Sequence, residues 1–193
     1  MYLGEEIRFT DWAIIHFTEN NGMAFGMEFG GAYGKLALSV FRILFVIGIF
    51  WYLTQIVKEK ANSLYITCIA MVIAGAAGNI IDSTFYGVLF TNSEFQMASF
   101  LPAEGYSTFL HGKVVDMLYF PLLQGQYPDW VPLWGGEEFL FFRPVFNVAD
   151  ASISMSVILM IVFQKKVFGN MHDQQEQENN SAEITSSEEN ANA

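Results

Sequence analysis

Phe146-Asn147-Val148-Ala149-Asp150 opens the last long apolar run of the chain, 145–163, which is long enough to cross a bilayer as a helix. An aspartate inside such a run is costly to keep and marks a functional site unless water reaches it. Asn147 lies three residues before Asp150 and Ser154 four after it, so all three share one helix face. If residue 145 is instead the membrane boundary, headgroup water wets Asp150. This run alone leaves both readings open.

Working outward, two further apolar runs precede it, at 36–57 and 64–81. The first spans about 33 Å at 1.5 Å per residue and contains Arg42, read here as a cation that snorkels to the interface at the Lys35 end. The second carries Ala74-Gly75-Ala76-Ala77-Gly78, small residues that let a neighbouring helix approach closely. Asn79 and Asp82 follow it at i,i+3 spacing. The polar connection 83–144 is broken by Pro and Gly but rich in Phe, Tyr and Trp, as suits a segment along the membrane–water interface. Within it, Asp116 is set in the apolar stretch Val114-Val115-Asp116-Met117-Leu118.

Residues 1–34 read as an extracytoplasmic β segment. Arg8 to Phe17 is β-branched and aromatic, Glu19-Asn20-Asn21-Gly22 supplies turn chemistry, and Met23 to Phe29 returns as a second strand. Residues 35–168 then form a membrane helical domain, and 169–193 a disordered acidic tail on the cytoplasmic side. The fold class expected is a mainly α membrane protein: three transmembrane helices, a small extracytoplasmic β-sheet cradle and a long outer loop.

The composition fits that division. Hydrophobic residues make up 52% of the chain and charged residues only 15%, below the roughly one quarter usual in soluble domains. Six of the twenty acidic residues sit in the tail, so the net charge of −11 describes that tail and not a nucleic-acid partner. The single cysteine, Cys68, excludes an intrachain disulfide. Lys58, Lys60, Lys165 and Lys166 fall on one side of three spans, which makes that side cytoplasmic and turns Asp82, Asp116 and Asp150 toward the outer face. Asp150 then lies about 8 Å below the start of its helix.

Two carboxylates close together in a poorly solvated place share a proton, because both cannot ionise cheaply. One can accept a proton from water while the other polarises a carbonyl, which is peptide hydrolysis without a metal or a covalent nucleophile. The sequence has no His-Glu-x-x-His pattern and no Gly-x-Ser-x-Gly elbow, and His16, His111 and His172 are scattered, so no metal or other cofactor is expected. Residue chemistry alone leaves a protease and a non-enzymatic proton-coupled membrane carrier fragment both open.

Four blocks in order separate the two. Asn20-Asn21-Gly22-Met23-Ala24-Phe25-Gly26, Gly78-Asn79-Ile80-Ile81-Asp82, Val114-Val115-Asp116 and Phe146-Asn147-Val148-Ala149-Asp150 resemble the signature blocks of the lipoprotein signal peptidases (signal peptidase II). The resemblance runs from about Leu3 to Phe168. It implies an inner-membrane aspartyl endopeptidase of bacteria, monomeric, with its site toward the outer face. It implies that Asp116 and Asp150 form the catalytic dyad, and that Asn20, Gly22, Asn79, Asp82 and Asn147 line or brace the substrate site. The implied partners are membrane lipids and lipidated prolipoproteins, cleaved before the diacylglyceryl-modified cysteine. Three departures accompany it. The family has four spans, the first with an Asp-Gln-x-x-Lys-like block, so this chain is expected to lack that helix, with Met1 an internal methionine. The Arg that usually follows Gly-Asn-x-x-Asp is Ser83 here, with Arg143 as a substitute. The stretch between Asp82 and Asp116 is long, and is expected to act as an enlarged lid over the site.

Overall fold

The computed structural model describes residues 1–21, 31–130, 132, 135–141 and 144–167. Gly22, Arg143, the expected return strand at 23–29 and the acidic tail lie outside the described residues. Three helices form the body: α1 (Gly31–Lys58), α2 (Ser63–Leu89) and α3 (Val148–Val162). A further helical turn follows α3 at 164–167. Six strands accompany them: β1 (Glu6–Arg8), β2 (Ile14–Asn20), β3 (Val114–Tyr119), β4 (Leu123–Gln126), β5 (Glu138–Phe141) and β6 (Val145–Phe146).

Among the described residues, α1 and α2 are the two helices long and apolar enough to cross a membrane, and α3 is a shorter apolar helix of 15 residues. Their outward faces carry exposed Leu44, Phe45, Phe50, Trp51, Ile81, Phe85 and Ile158. Such a surface suits lipid and not water. Asn62 caps α2 by accepting from Leu64 N–H at 2.9 Å. At this end Ile56, Tyr65 and Val167 pack together, which gathers Lys58, Lys60, Lys165 and Lys166 at one end of the bundle.

α2 and α3 meet at the small residues. A Cβ on Gly75 would run into the Ala149 carbonyl oxygen and would meet Ile153 Cγ1 at 2.7 Å. Ser152 Oγ donates to Met71 O at 3.0 Å across the same contact. Glycine is required here by the approach of α3 and not by any special backbone angle.

Three boundaries differ from the reading of the sequence. Arg8 to Phe17 is not one strand: the chain turns at 9–13, with Phe9 and Thr10 N–H both donating to Ala13 O, and β2 starts at Ile14. α2 runs past Ile81 to Leu89, because Ser83 and Thr84 face inward while Ile81, Phe85 and Val88 remain outside. At 145–146 the chain is strand: Val145 pairs with Tyr119 and Phe146 with Leu118 before the helix begins at Val148.

The four-stranded sheet is antiparallel in the order β1-β2-β3-β6, and β4–β5 form a separate ribbon. The 90–113 segment is built onto the end of α2. Its N–H groups at Leu101, Tyr106, Ser107, Leu110 and Gly112 donate to Leu89, Phe90, Gly87, Thr84 and Ser83 carbonyls, and those at Gly87 and Leu89 are among the acceptors left open where a helix stops. It is then fastened to β2 through Glu19. That carboxylate accepts from Ser93 Oγ at 2.6 Å and from Lys113 Nζ at 2.7 Å, and its side chain is 8% exposed. Glu19 pairs in register with Val115 and Thr18 with Asp116, so Glu19 and Asp116 point to opposite faces of the sheet. The long stretch is therefore fastened to the sheet at both Ser93 and Lys113, on the face that carries Glu19.

Candidate active site

Asn147 is the hinge of the site. It ends β6 and caps α3, its Oδ1 accepting from Asp150 N–H at 2.9 Å, while Asp150 Oδ2 receives Asn147 N–H at 3.4 Å. A backbone N–H can only donate, so the Asn147 atom it meets is the oxygen, and the orientation of the amide follows. Its Nδ2 then points the other way and divides its two protons, one to Asp116 Oδ1 at 2.8 Å and one to Asn79 Oδ1 at 3.0 Å. That in turn directs Asn79 Nδ2 onto Asp150 Oδ1 at 2.8 Å. Asn20 Nδ2 reaches the second oxygen of Asp116 at 3.3 Å.

Five residues from four elements are thus joined in one network, and each has a structural reason to be there. The β2–β3 register sets Asn20 opposite Val114, so it leans diagonally to Asp116 on the same face. Asn79 comes from α2, one helical turn beyond the close contact at Gly75. Asp150 sits in the first turn of α3, where the exposed N–H groups of a helix favour negative charge. Asp82 is not a member of the network. Its carboxylate is influenced by the Val115 N–H and the Tyr86 hydroxyl, which places it near the strand residue just before Asp116. Ser83 is 6% exposed and returns its hydroxyl to Asn79 O at 2.9 Å.

The two carboxylates differ in surroundings. Asp116 is 4% exposed. Burial pushes its carboxyl above the ordinary carboxylate range, the charges of Asp150 and Asp82 add to this, and the Asn20 and Asn147 amides work against it. A group raised in this way stabilises the fold while it holds its proton, and that contribution is lost as pH climbs through the raised value. Asp116→Asn removes the titration. The melting temperature of the variant minus that of the parent is therefore expected to rise from pH 4 to pH 8, whatever fixed cost the new amide brings. A flat difference in a detergent thermal-shift series contradicts this.

Lys35 Nζ donates to Asn21 Oδ1 at 3.0 Å, and Ser39 Oγ to Leu110 O at 3.1 Å, so one stripe of α1 is fastened to the end of β2 and to the 90–113 segment. Arg42 continues that stripe, half-buried. The Glu19–Lys113 fastening is not legible in the sequence, since 94 residues separate its partners. His16 pairs with Glu6 at 3.0 Å and His111 with Thr108 at 3.1 Å; neither is a partner of the two carboxylates.

Comparison with known proteins adds the following. Residues 2–165 match the family described as Signal peptidase (SPase) II. A lipoprotein signal peptidase of Porphyromonas gingivalis is 49% identical over 164 residues, covering 84% of this chain and 71% of that protein. One of Amoebophilus asiaticus is 36% identical over 161 residues, covering 83% and 64%. The fold is similar to a bacterial membrane enzyme solved by the in meso method at 2.3 Å, with a TM-score of 0.53 and 23% identity over 88% of this chain and 76% of that one.

Proposed function

This chain belongs to the signal peptidase II family, and on that premise we propose that it is a membrane aspartyl endopeptidase that removes signal peptides from lipidated prolipoproteins. Cleavage falls just before the diacylglyceryl-modified cysteine. The observation that carries the chemistry is the double amide bridge, in which Asn147 and Asn79 hold Asp116 and Asp150 in one network.

In this mechanism Asp150 is ionised and Asp116 protonated. Water placed between them loses a proton to Asp150 as its oxygen attacks the scissile carbonyl carbon, and Asp116 gives its proton to the carbonyl oxygen. When the tetrahedral diol collapses, a diol hydroxyl returns a proton to Asp116. Asp150 delivers its proton to the departing nitrogen, and the C–N bond breaks. Both carboxylates end as they began, so no metal or covalent intermediate is needed. Asn20 and Asn147 steady Asp116, and Asp82 braces the strand beneath it.

The site faces the outer side of the bacterial inner membrane, and the protein works as a multi-pass monomer. The lysines gathered at the opposite end of the bundle, at 58, 60, 165 and 166, support this orientation. The acyl chains of the substrate stay in the bilayer while its peptide reaches the sheet. The test is substrate discrimination in proteoliposomes. A precursor carrying the diacylglyceryl cysteine is expected to be cut at the bond before that residue, and the same precursor without lipid to be left whole. Equal cleavage of both precursors, or a cut elsewhere, overturns the proposal.

A further inference from the structure

Glu19 and Asn20 are neighbours at the end of β2 and point to opposite faces of the sheet. On one face Asn20 Nδ2 reaches Asp116 Oδ2 at 3.3 Å. On the other, Glu19 lines a cavity with Phe17, Val115 and Met117, closed by Tyr86 of α2 and by Tyr106. A carboxylate among apolar side chains is costly unless its oxygens are satisfied. Both are: Oε1 accepts from the buried Ser93 hydroxyl at 2.6 Å, and Oε2 from Lys113 Nζ at 2.7 Å.

The assignment of faces depends on a bulge. Ile15 stands opposite Leu118 and Thr18 opposite Asp116, so His16 and Phe17 together oppose the single residue Met117. Without the extra residue Asn20 would stand opposite Lys113 and turn away from Asp116. The bulge also interrupts the ladder, and beyond it only Thr18, Glu19 and Asn20 pair with β3. Three residues at the end of a strand open easily unless a contact outside the ladder holds them.

That contact comes from the 90–113 segment. Lys113 N–H donates to the Tyr106 hydroxyl at 2.7 Å, and its Nζ lies 5.8 Å from the centre of the Tyr106 ring. Ser93 O accepts from Leu3 N–H at 3.0 Å. Both partners of Glu19 are thus held independently of it. On the far side Lys35 of α1 bonds Asn21, so Asn20 lies between two fastened residues. Fixing a register is the best attested use of a buried ionic pair.

We propose that Glu19 is a positioning residue for the dyad: joined to Lys113 and Ser93, it holds the end of β2 so that the Asn20 amide stays on Asp116. This rests on the dyad reading above. Glu19 touches neither carboxylate, and its effect on turnover passes through Asn20.

The experiment measures kcat and KM of the full chain in proteoliposomes with a lipidated precursor, for the parent, Glu19→Gln, Asn20→Ala, the double variant and, in parallel, Asp150→Asn. Glutamine keeps the size of the side chain and an acceptor for Ser93, but sets an amide against the Lys113 ammonium. Asn20→Ala is expected to lower kcat about tenfold, the rate equivalent of one hydrogen bond. Glu19→Gln is expected to lower kcat about as much, with KM within about twofold because no substrate contact is lost. In the Asn20→Ala background the same substitution is expected to cost less than about twofold, since the amide it positions is already gone. A parent-like kcat in Glu19→Gln or in Asn20→Ala overturns the proposal, as does an equal fall for Glu19→Gln in both backgrounds. If Glu19→Gln fails to insert, Ser93→Ala replaces it and removes one of the two contacts. Its kcat is expected to fall about threefold with Asn20 present and to hold steady without it; no fall, or the same fall in both backgrounds, overturns the proposal. Cleavage retained by Asp150→Asn overturns the dyad itself, whereas loss in Asp150→Asn beside equal falls in both backgrounds removes only the role of Glu19.

Discussion

Asp150→Asn is expected to insert at the parent's level and to cleave a lipidated precursor about 10²–10⁴-fold more slowly, the range lost with a general acid–base group. The substitution keeps the size of the side chain. Its amide oxygen can still accept from Asn79, which lies 2.8 Å from Asp150 Oδ1. The other atom becomes a donor facing the Asn147 N–H, so the second half of the capping box is lost. Caps are worth about 1 kcal/mol, too little to unfold a helix packed along α2. The loss is therefore chemical: an amide does not accept water's proton. Asp116→Asn is expected to lose as much, with a larger structural cost. Asp116 accepts one Nδ2 on each of its oxygens, from Asn147 and from Asn20, and an asparagine satisfies one of them while presenting N–H to the other. Precursor and product bands on a gel, against membrane-fraction levels of each variant, report both quantities. Retained cleavage in both variants removes the dyad.

Gly75→Ala is the second large effect, and it comes from a residue that touches neither carboxylate. The added methyl meets the Ala149 carbonyl oxygen and Ile153 Cγ1. Ile153 can adjust its side chain, but Ala149 O is backbone, so relief requires α3 itself to move. Overpacking of this kind costs about 1–3 kcal/mol. The displaced segment carries Asp150 next to Ala149, and a 1 Å misplacement of a reacting group costs about 100-fold in rate. Turnover is expected to fall about that much while the protein still inserts. Gly48→Ala is the control. A Cβ there meets nothing within 4 Å, and alanine is the better helix former by about 1 kcal/mol. Equal activity of the two variants would show that the α2–α3 approach does not set the position of Asp150.

The network was legible in the sequence because its members sit in short blocks: Asn147 three residues before Asp150, and Asn79 beside the small-residue run. What linear reading missed has a common cause. The apolar run at 145–163 does not reveal that its first two residues are strand, because Val and Phe suit either structure and the pairing with Leu118 and Tyr119 is long-range. The end of the second span was set at Ile81 because polarity rises there, yet the polar residues face inward and the helix continues. The Glu19–Lys113 fastening joins residues too far apart in sequence for any local pattern to relate them.

The double duty of Asn147 bears on how the enzyme comes into being. Its contacts bridge 31 residues to Asp116 and 68 to Asn79, and Asn20 reaches Asp116 across 96. No contiguous piece of the chain holds more than a fragment of the network. The amide that joins the two carboxylates takes its orientation from the first turn of α3, so the proposed dyad exists only once that last helix has formed and docked. On the proposed dyad, a nascent chain therefore holds no complete site until α3 has docked.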